Sequence, residues 1–151
     1  MQAAINGACA GGGMGQAMNC DIRFAASEAT FSTAFARRGL IAEWGISWAL
    51  PRVVGQGAAM DLLLSARKFK GDEAKEIGIV QKVFPKETLV EEAIAYARDM
   101  ADNVPAASLA VIKDQVLRHP YMAALDALEQ SGAYAFGQAK GEFFDPTTMV
   151  P

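Results

Sequence analysis

Cysteine, histidine and net charge are all scarce in this chain. It has two cysteines, one histidine and a formal net charge of −3 over 151 residues. Two cysteines without a short secreted context predict reduced thiols in the cytoplasm rather than a disulfide framework. The lone histidine, His119, cannot build a metal site, and a surface or capping role is expected for it before Pro120. No basic cluster indicates nucleic acid, so we expect neither a metal nor a nucleic acid as a ligand.

The chain also lacks long apolar runs and a leader pattern at its start. No stretch approaches the roughly 20 apolar residues that span a bilayer. No charged segment precedes an apolar one at the beginning of the chain. We therefore expect no membrane segment and a place in the cytoplasm. With 52% hydrophobic and 21% charged residues, the composition is that of a globular domain with its own core.

Glycine, by contrast, is concentrated near the start, where an apolar strand leads through a turn into a glycine run. Gly11, Gly12 and Gly13 open a helix that is predicted over 12–19. A helix N-terminus has backbone N–H groups without partners and the positive end of the helix dipole. These donors could stabilise an oxyanion, or the glycines could only let another segment pack closely. The glycines alone leave both interpretations open.

Two better-known glycine motifs do not fit. The dinucleotide fingerprint G-x-G-x-x-G requires a glycine where Gln16 stands. A phosphate-binding loop requires a lysine and a hydroxyl residue after its second glycine, and Gly13 and Met14 take those places. Neither a dinucleotide nor a nucleoside triphosphate is therefore expected as a ligand.

Short strands and short helices alternate over the first part of the chain, and longer helices follow. Strands are predicted over 3–6, 22–25, 30–32 and 79–84, and short helices over 12–19, 56–65 and 71–77. The segment 46–54 is mixed, because Pro51 suits an early helical position or a break. Longer helices are predicted over 88–102, 105–118 and 121–139. The first of these is expected to bury residues spaced three and four apart, namely Val90, Ala93, Ile94, Ala97, Met100 and Ala101.

Several blocks of this sequence, in the same order, resemble the enoyl-CoA hydratase/isomerase family of the crotonase superfamily. They begin with NGACAGGG over 6–13 and CDIRFA over 20–25. They continue with RGLI over 38–41 and LPRVVG over 50–55, and reach Lys113. The resemblance covers about residues 2–135 of the chain.

This resemblance implies an α/β fold with the later turns of a crotonase-like ββα spiral over 1–86. A C-terminal α-helical trimerisation region is implied over 87–151, and the two parts would form one continuous domain. The family also implies an acyl-CoA substrate, no cofactor, a role in fatty acid metabolism and a homo-oligomer, either a trimer or a dimer of trimers. Family members normally have a further segment ahead of the first block. We therefore expect a fragment, which could be inactive alone.

The resemblance also implies roles for the glycine run and for two aromatic residues. The middle glycine, Gly12, maps to an oxyanion-hole donor, with Gly11 and Gly13 beside the substrate. Hydratases of the family hold and split a water with two carboxylates, whose positions are here Gly15 and Phe35. Neither residue can transfer a proton, so hydration by two carboxylates is not expected. Phe35 is expected to line the substrate site.

Glu43 stands at a third position that the family uses. In isomerases and some dehalogenases of the family an acid follows a Gly-Leu turn, here Gly39-Leu40, by a few residues. An apolar pocket around this acid would disfavour its charged form, which suits a group that moves a proton between two carbons. The resemblance therefore implies double-bond isomerisation with Glu43 as the single acid/base. Trp44 is expected either to line the acyl pocket, as Trp48 could, or to lie in the core.

Alternatives to this assignment stay open. Glu43 could be a solvated loop acid, and the chain could be part of a hydratase or hydrolase that a missing N-terminal half completes. It could also be a non-catalytic fragment or association module. Cys9 could be a nucleophile, but a small packing residue is favoured because no His or Lys lies near it in sequence. Arg37 and Arg38 could meet coenzyme A phosphates, although a solvated pair is favoured.

Overall fold

A computed structural model describes residues 1–123 together with Asp126, Gln130 and Ser131. By its packing the chain forms two compact units, Met1–Ala97 and Arg98–Pro151. The sequence predicted a boundary after residue 86, whereas these two units divide after Ala97. The predicted helix over 121–139 lies mostly outside the described residues. No helix within them is both long and apolar enough to cross a membrane.

The first unit starts with two strand–strand–helix repeats. The first repeat consists of β1 (Gln2–Ile5), β2 (Ala8–Ala10) and α1 (Gly12–Met18). The second consists of β3 (Ile22–Ala26), β4 (Thr30–Ser32), a 3₁₀ turn (Ala36–Arg38), α2 (Ile46–Val54) and α3 (Gln56–Ser65). The elements that follow are β5 (Phe69–Lys70), α4 (Gly71–Glu76), β6 (Lys82–Phe84), α5 (Leu89–Asn103), α6 (Ala106–Arg118) and a 3₁₀ turn (His119–Tyr121).

The strands pair into two three-stranded sheets. In one sheet β1, β3 and β6 run parallel in that order, with Ala3 opposite Arg23 and Ala25 opposite Val83. In the other, β2 pairs parallel with β4, and β4 pairs antiparallel with β5. The two strands of the second repeat thus lie beside the matching strands of the first. This stacking of ββα repeats confirms the predicted α/β class.

The predicted elements and the observed ones differ mainly in the shortest strands. The strand over 30–32 and the helix over 56–65 have the predicted bounds. The strands β2 and β5 were not predicted, because segments of three and two residues show no periodicity. Pro51 lies inside α2 and beyond its first turn, so both predicted options, an early helical position and a break, are wrong. The helix continues past Pro51, whose carbonyl accepts the Gly55 N–H at 2.9 Å.

The helix α5 buries less apolar surface than its spacing predicts. Of the six residues expected inside, Ala93 is buried, while Val90 is 51% and Ile94 46% exposed. The apolar residues have the predicted helical spacing, but the described residues cover only one edge of the apolar face that they form. Leu89, at the first position of the helix, is fully buried instead.

Aromatic contacts and one buried arginine hold the core of the first unit. Phe24 packs edge-on against Phe84 and Tyr96, with ring centroids 5.6 and 5.2 Å apart. Arg23 beside it is 6% exposed, and its Nε donates to the carbonyl of Ile79 at 2.5 Å. Burial lowers the pKa of this guanidinium from its ordinary value. Arg23 thus ties β3 to the segment before β6, which is a structural reason for its place in the CDIRFA block.

Two glycines of the first unit provide a matched test of this packing. A Cβ on Gly71 would overlap the carbonyl oxygen of Ala26 and lie 3.1 Å from that of Ser27. A Cβ on Gly57, inside α3, would meet nothing within 4 Å. We expect Gly71→Ala to lower the free energy of unfolding by ~1–3 kcal/mol. Gly57→Ala should raise it by up to ~1 kcal/mol. Denaturant unfolding measures both, and equal effects would contradict the described contact between α4 and β3.

Candidate functional site

The first turn of α1 presents backbone donors. Gly11, at the N-cap, has φ +54° and donates its N–H to the carbonyl of Ser32 at 3.1 Å. Gly15 donates to the carbonyl of Gly11 at 3.1 Å, and this bond closes the first turn. The N–H groups of residues 12–14 come before that bond and therefore have no acceptor within the helix. These donors lie at the positive end of the helix dipole.

Trp44 lies directly against this turn. A Cβ on Gly12 would be 3.3 Å from the indole Cε2 and Nε1 atoms. A Cβ on Gly15 would be 3.0 Å from the Cβ of Trp44 and 3.2 Å from its carbonyl oxygen. Close packing, one of the two interpretations of the glycine run, therefore holds for Gly12 and Gly15. Gly13 differs, because a Cβ there would meet nothing within 4 Å.

The backbone at Trp44 has a conformation that bulky residues rarely adopt. Trp44 has φ +57° and Gly45 has φ +68°. A left-handed conformation at a non-glycine residue costs on the order of 1–3 kcal/mol and often marks a functional site. The turn is closed by the Ile46 N–H, which donates to the carbonyl of Glu43 at 3.1 Å and leads into α2. Trp44 stays 64% exposed, so the alternative of a core tryptophan is wrong.

Phe35 flanks the same turn from another side. It is 7% exposed, and a Cβ on Gly11 would lie 3.9 Å from its ring. Its N–H donates to the carbonyl of Thr33 at 2.8 Å, and Ala34 between them has φ +64°. Two aromatic side chains, Phe35 and Trp44, thus lie against the glycines that open α1.

Two hydroxyl residues that sequence reasoning missed anchor the turn that carries Phe35. Thr33 donates its Oγ1 hydrogen to the carbonyl of Leu62 at 2.7 Å. Ser32 donates its hydroxyl to the carbonyl of Ala66 at 3.0 Å, and its oxygen accepts the Ala34 N–H at 3.1 Å. Both side chains are buried. The signal available in sequence was a pair of polar residues at the end of a buried strand.

Glu43 is exposed, and its carboxylate makes no hydrogen bond or ion pair within the part of the chain that the structure describes. The apolar pocket predicted around it is wrong for these residues, since Ile41 is 80% and Trp48 54% exposed. Of the apolar residues that flank Glu43 in sequence, Ile46 is buried. Glu43 nevertheless directly precedes the residue that covers the first turn of α1. Trp44 therefore connects the acid to the donors, because it follows Glu43 in the chain and contacts the first turn of α1.

The two arginines ahead of this loop have a structural explanation. Arg37 donates its Nε hydrogen to the carbonyl of Ser65 at 2.9 Å, which ties the 3₁₀ turn to the end of α3. Both Arg37 and Arg38 are exposed. This favours the solvated pair over a phosphate site.

A separate groove of about 570 Å³ lies along β1, β2 and α1. Gly13 is the one member of the glycine run that lines it, and neither Glu43 nor Trp44 does. None of the described residues that line it carries a carboxylate, so they offer no acid or base of that kind. We place the candidate site on the Trp44 side of α1 for this reason. Among the described residues no group of three His, Cys, Asp or Glu side chains could hold a metal ion.

Cys9, which lines this groove, has the properties of a packing residue. It is 5% exposed, and burial raises the pKa of its thiol from 9.0 to about 11. The thiolate is the nucleophilic form of cysteine, so a thiol that stays protonated at neutral pH is a poor nucleophile. The interpretation as a packing residue is therefore the better one.

The raised pKa of Cys9 predicts a pH dependence of stability. Above pH 9.0 the unfolded chain loses the thiol proton, while the folded chain keeps it until about pH 11. The folded state then binds more protons, so the free energy of unfolding falls as the pH rises through this range. We expect a loss of ~1–2 kcal/mol that Cys9→Ala does not show. Urea unfolding of both proteins at pH 8 and pH 10.5 measures the difference; parallel declines would contradict the assignment.

Comparison with known proteins gives this arrangement a context. The family model described as enoyl-CoA hydratase/isomerase matches residues 1–138. The chain is 39% identical over 113 residues to the 1,2-epoxyphenylacetyl-CoA isomerase of Escherichia coli, covering 75% of this chain and 43% of that protein. It is 41% identical over 92 residues to a peroxisomal Delta(3,5)-Delta(2,4)-dienoyl-CoA isomerase of Arabidopsis thaliana, covering 61% of this chain and 33% of that protein. A mitochondrial enoyl-CoA hydratase of Pongo abelii is 42% identical over 101 residues, covering 67% of this chain and 35% of that protein.

Solved structures agree with the fold. An enoyl-CoA hydratase from Mycobacterium marinum is 53% identical with a TM-score of 0.70, covering 76% of this chain and 58% of that one. An enoyl-CoA hydratase/isomerase from Cupriavidus metallidurans is 29% identical with a TM-score of 0.82, covering 93% and 51%. The chain thus spans well under half the length of these curated relatives and about half that of the solved structures. The crotonase-like fold predicted from sequence is confirmed. The chain belongs to the enoyl-CoA hydratase/isomerase family, whose members act on coenzyme A thioesters without a cofactor.

Proposed function

We propose that this chain carries the proton-transfer and oxyanion groups of an enoyl-CoA isomerase, with Glu43 as the single acid/base. The observation that carries the proposal is the contact of Trp44 with Gly12 and Gly15. It joins the donor turn of α1 to the segment that bears the acid. Two of the relatives are named as isomerases of CoA thioesters, which supports the same reaction class.

The proposed chemistry needs one base and one set of donors. Glu43 would take a proton from the carbon next to the thioester carbonyl of a 3-enoyl-CoA. Negative charge then develops on the carbonyl oxygen, where the N–H of Gly12 would stabilise it, an effect typically worth ~10²–10³ in rate. Glu43 would return the proton two carbons further along the chain, which leaves a 2-enoyl-CoA. Gly11, Phe35 and Trp44 are proposed to border the substrate, whereas Gly13, which was expected there too, lines the separate groove instead.

Hydration is the second candidate, because a mitochondrial enoyl-CoA hydratase is also among the relatives. Adding water requires a group that holds and splits it. In this chain Gly15 has no side chain, and Phe35 is buried and apolar. The described residues near the first turn of α1 thus favour isomerisation, while a contribution from elsewhere in a longer protein would be needed for hydration.

The expected location in the cytoplasm stays a prediction. The relatives include proteins named as peroxisomal and as mitochondrial, as well as a bacterial protein. Cysteine usage alone favours a reducing compartment.

Replacing Glu43 with glutamine tests the proposed acid/base. Glu43→Gln keeps the shape and removes the basicity, so conversion of 3-enoyl-CoA to 2-enoyl-CoA should fall by about 10²–10⁴. Thioester affinity should change little, because backbone donors hold the carbonyl. Glu87→Gln is the matched control, since Glu87 is an exposed acid in the turn before α5. Efficient hydration by the unaltered chain, or normal isomerisation by Glu43→Gln, would overturn the assignment.

We further propose that the chain self-associates, as the predicted trimer requires. Along α6, Leu109, Ile112 and Val116 are 38%, 54% and 67% exposed. Their spacing of three and four places them on one face of the helix. Contiguous exposed apolar surface marks interfaces.

Sedimentation of the chain at tens of micromolar tests this proposal. We expect Ile112→Gln to weaken association severalfold. Ala107→Gln, also exposed and on the opposite face of α6, should leave it unchanged. A monomer over the whole concentration range would refute self-association.

A further inference from the structure

We infer that Trp44 sets the reaction specificity of this site, because it excludes a second acidic side chain from the donor turn of α1. The inference rests on the proposed function for its chemical consequence. Its structural part, the exclusion itself, can be measured without turnover.

The first step concerns which positions on α1 face the site. A Cβ built on Gly12 or on Gly15 would point toward Trp44. The two glycines are three residues apart and lie on one side of the helix. A side chain at position 15 would therefore start on the same side as the covered donor residue Gly12. Gly13 faces open space instead. Position 15 is thus the place on α1 from which an acid could reach a ligand held at this turn.

The second step concerns what fills that place. The nearest atoms to a Cβ at position 15 are the Cβ of Trp44 at 3.0 Å and its carbonyl oxygen at 3.2 Å. Both belong to the main chain or its first substituent, so they cannot swing aside as the end of a flexible side chain does. The left-handed conformations of Trp44 and Gly45 hold them there. A Cβ at position 15 would therefore require the turn that carries Glu43 to move by a few tenths of an ångström.

The third step is chemical. Hydration adds the oxygen of water to one alkene carbon and a proton to its neighbour, so the water must be held and deprotonated while the proton is supplied. The indole over Gly12 has an N–H donor but no acceptor for a water proton. Isomerisation needs one base that returns the proton it removed. Because Trp44 crowds position 15, Glu43 is the acid that neighbours the donor turn of α1 among the described residues, and a second acid at position 15 would clash with Trp44.

A crossed set of variants tests the exclusion. Gly15→Ala should lower the folded-to-unfolded ratio about 5- to 150-fold, as overpacking does. Trp44→Gly, which removes the Cβ and relaxes the backbone, should recover most of this loss. Trp44→Ala keeps the Cβ and the carbonyl and should not recover it. The same Trp44→Ala should, however, relieve Gly12→Ala, whose clash is with the indole. Gly13→Ala is the control and should show no coupling to position 44.

A second arm measures the products formed from enoyl-CoA. We expect the unaltered chain to isomerise without hydrating, and Gly15→Glu with Trp44→Gly to hydrate at least tenfold faster than the unaltered chain. Stable folding of Gly15→Ala with Trp44 in place would overturn the inference. So would efficient hydration by the unaltered chain. Absence of both reactions together with the expected coupling would refute the proposed function, while the coupling would still support the exclusion by Trp44.

Discussion

The contact between Trp44 and two glycines of α1 is the constraint on which the candidate site depends. It places an indole against Gly12 and a carbonyl against Gly15 at distances that would crowd a Cβ. The same contact positions the loop that carries Glu43 relative to the donors of the helix. The acid itself is exposed, so its position relative to these donors depends on the contact that Trp44 makes. Two successive left-handed residues, the strained Trp44 and Gly45, maintain this geometry.

Two left-handed turns border the donor turn of α1, and one of them is the strained turn at Trp44. The other lies at Ala34, φ +64°, directly before Phe35. There, buried hydroxyls of Ser32 and Thr33 donate to the end of α3 and just beyond it, and so offset the cost of the turn. Each turn presents one aromatic residue to the glycine run. The two sheets and α3 thus act as the rigid frame, while short strained connections carry the residues of the site.

Much of this fold was predictable, because its helices and longer strands have clear apolar spacing and glycine boundaries. The helix over 56–65 and the strand over 30–32 have the predicted bounds. The short strands β2 and β5 were not predictable, because their identity comes from pairing with β4 rather than from their own sequence. The burial of α5 was overestimated for a related reason: an apolar stripe predicts that a face can be covered, not which residues cover it. Of the site, the glycine run was singled out from its own residues, and the roles of Gly12 and Glu43 came through the family resemblance. The contact of Trp44 with Gly15 was not, since it depends on two positive φ values that no spacing reveals.

The two kinds of group in this site are constrained by sequence in different ways. An oxyanion donor that belongs to the backbone survives any substitution that leaves the turn intact. Its signature in the sequence is therefore a lack of side chains, as at Gly12, which packs closely against Trp44. An acid is itself a side chain, and one substitution creates or removes it. A fold can therefore keep its donors while the positions of its acids change, and the reaction changes with them. Under the proposed function the glycine run would hold a thioester carbonyl, whereas Glu43, Gly15 and Phe35 would decide which proton moves. Trp44 links the two, because the atoms that keep Gly12 and Gly15 small belong to the residue next to the acid.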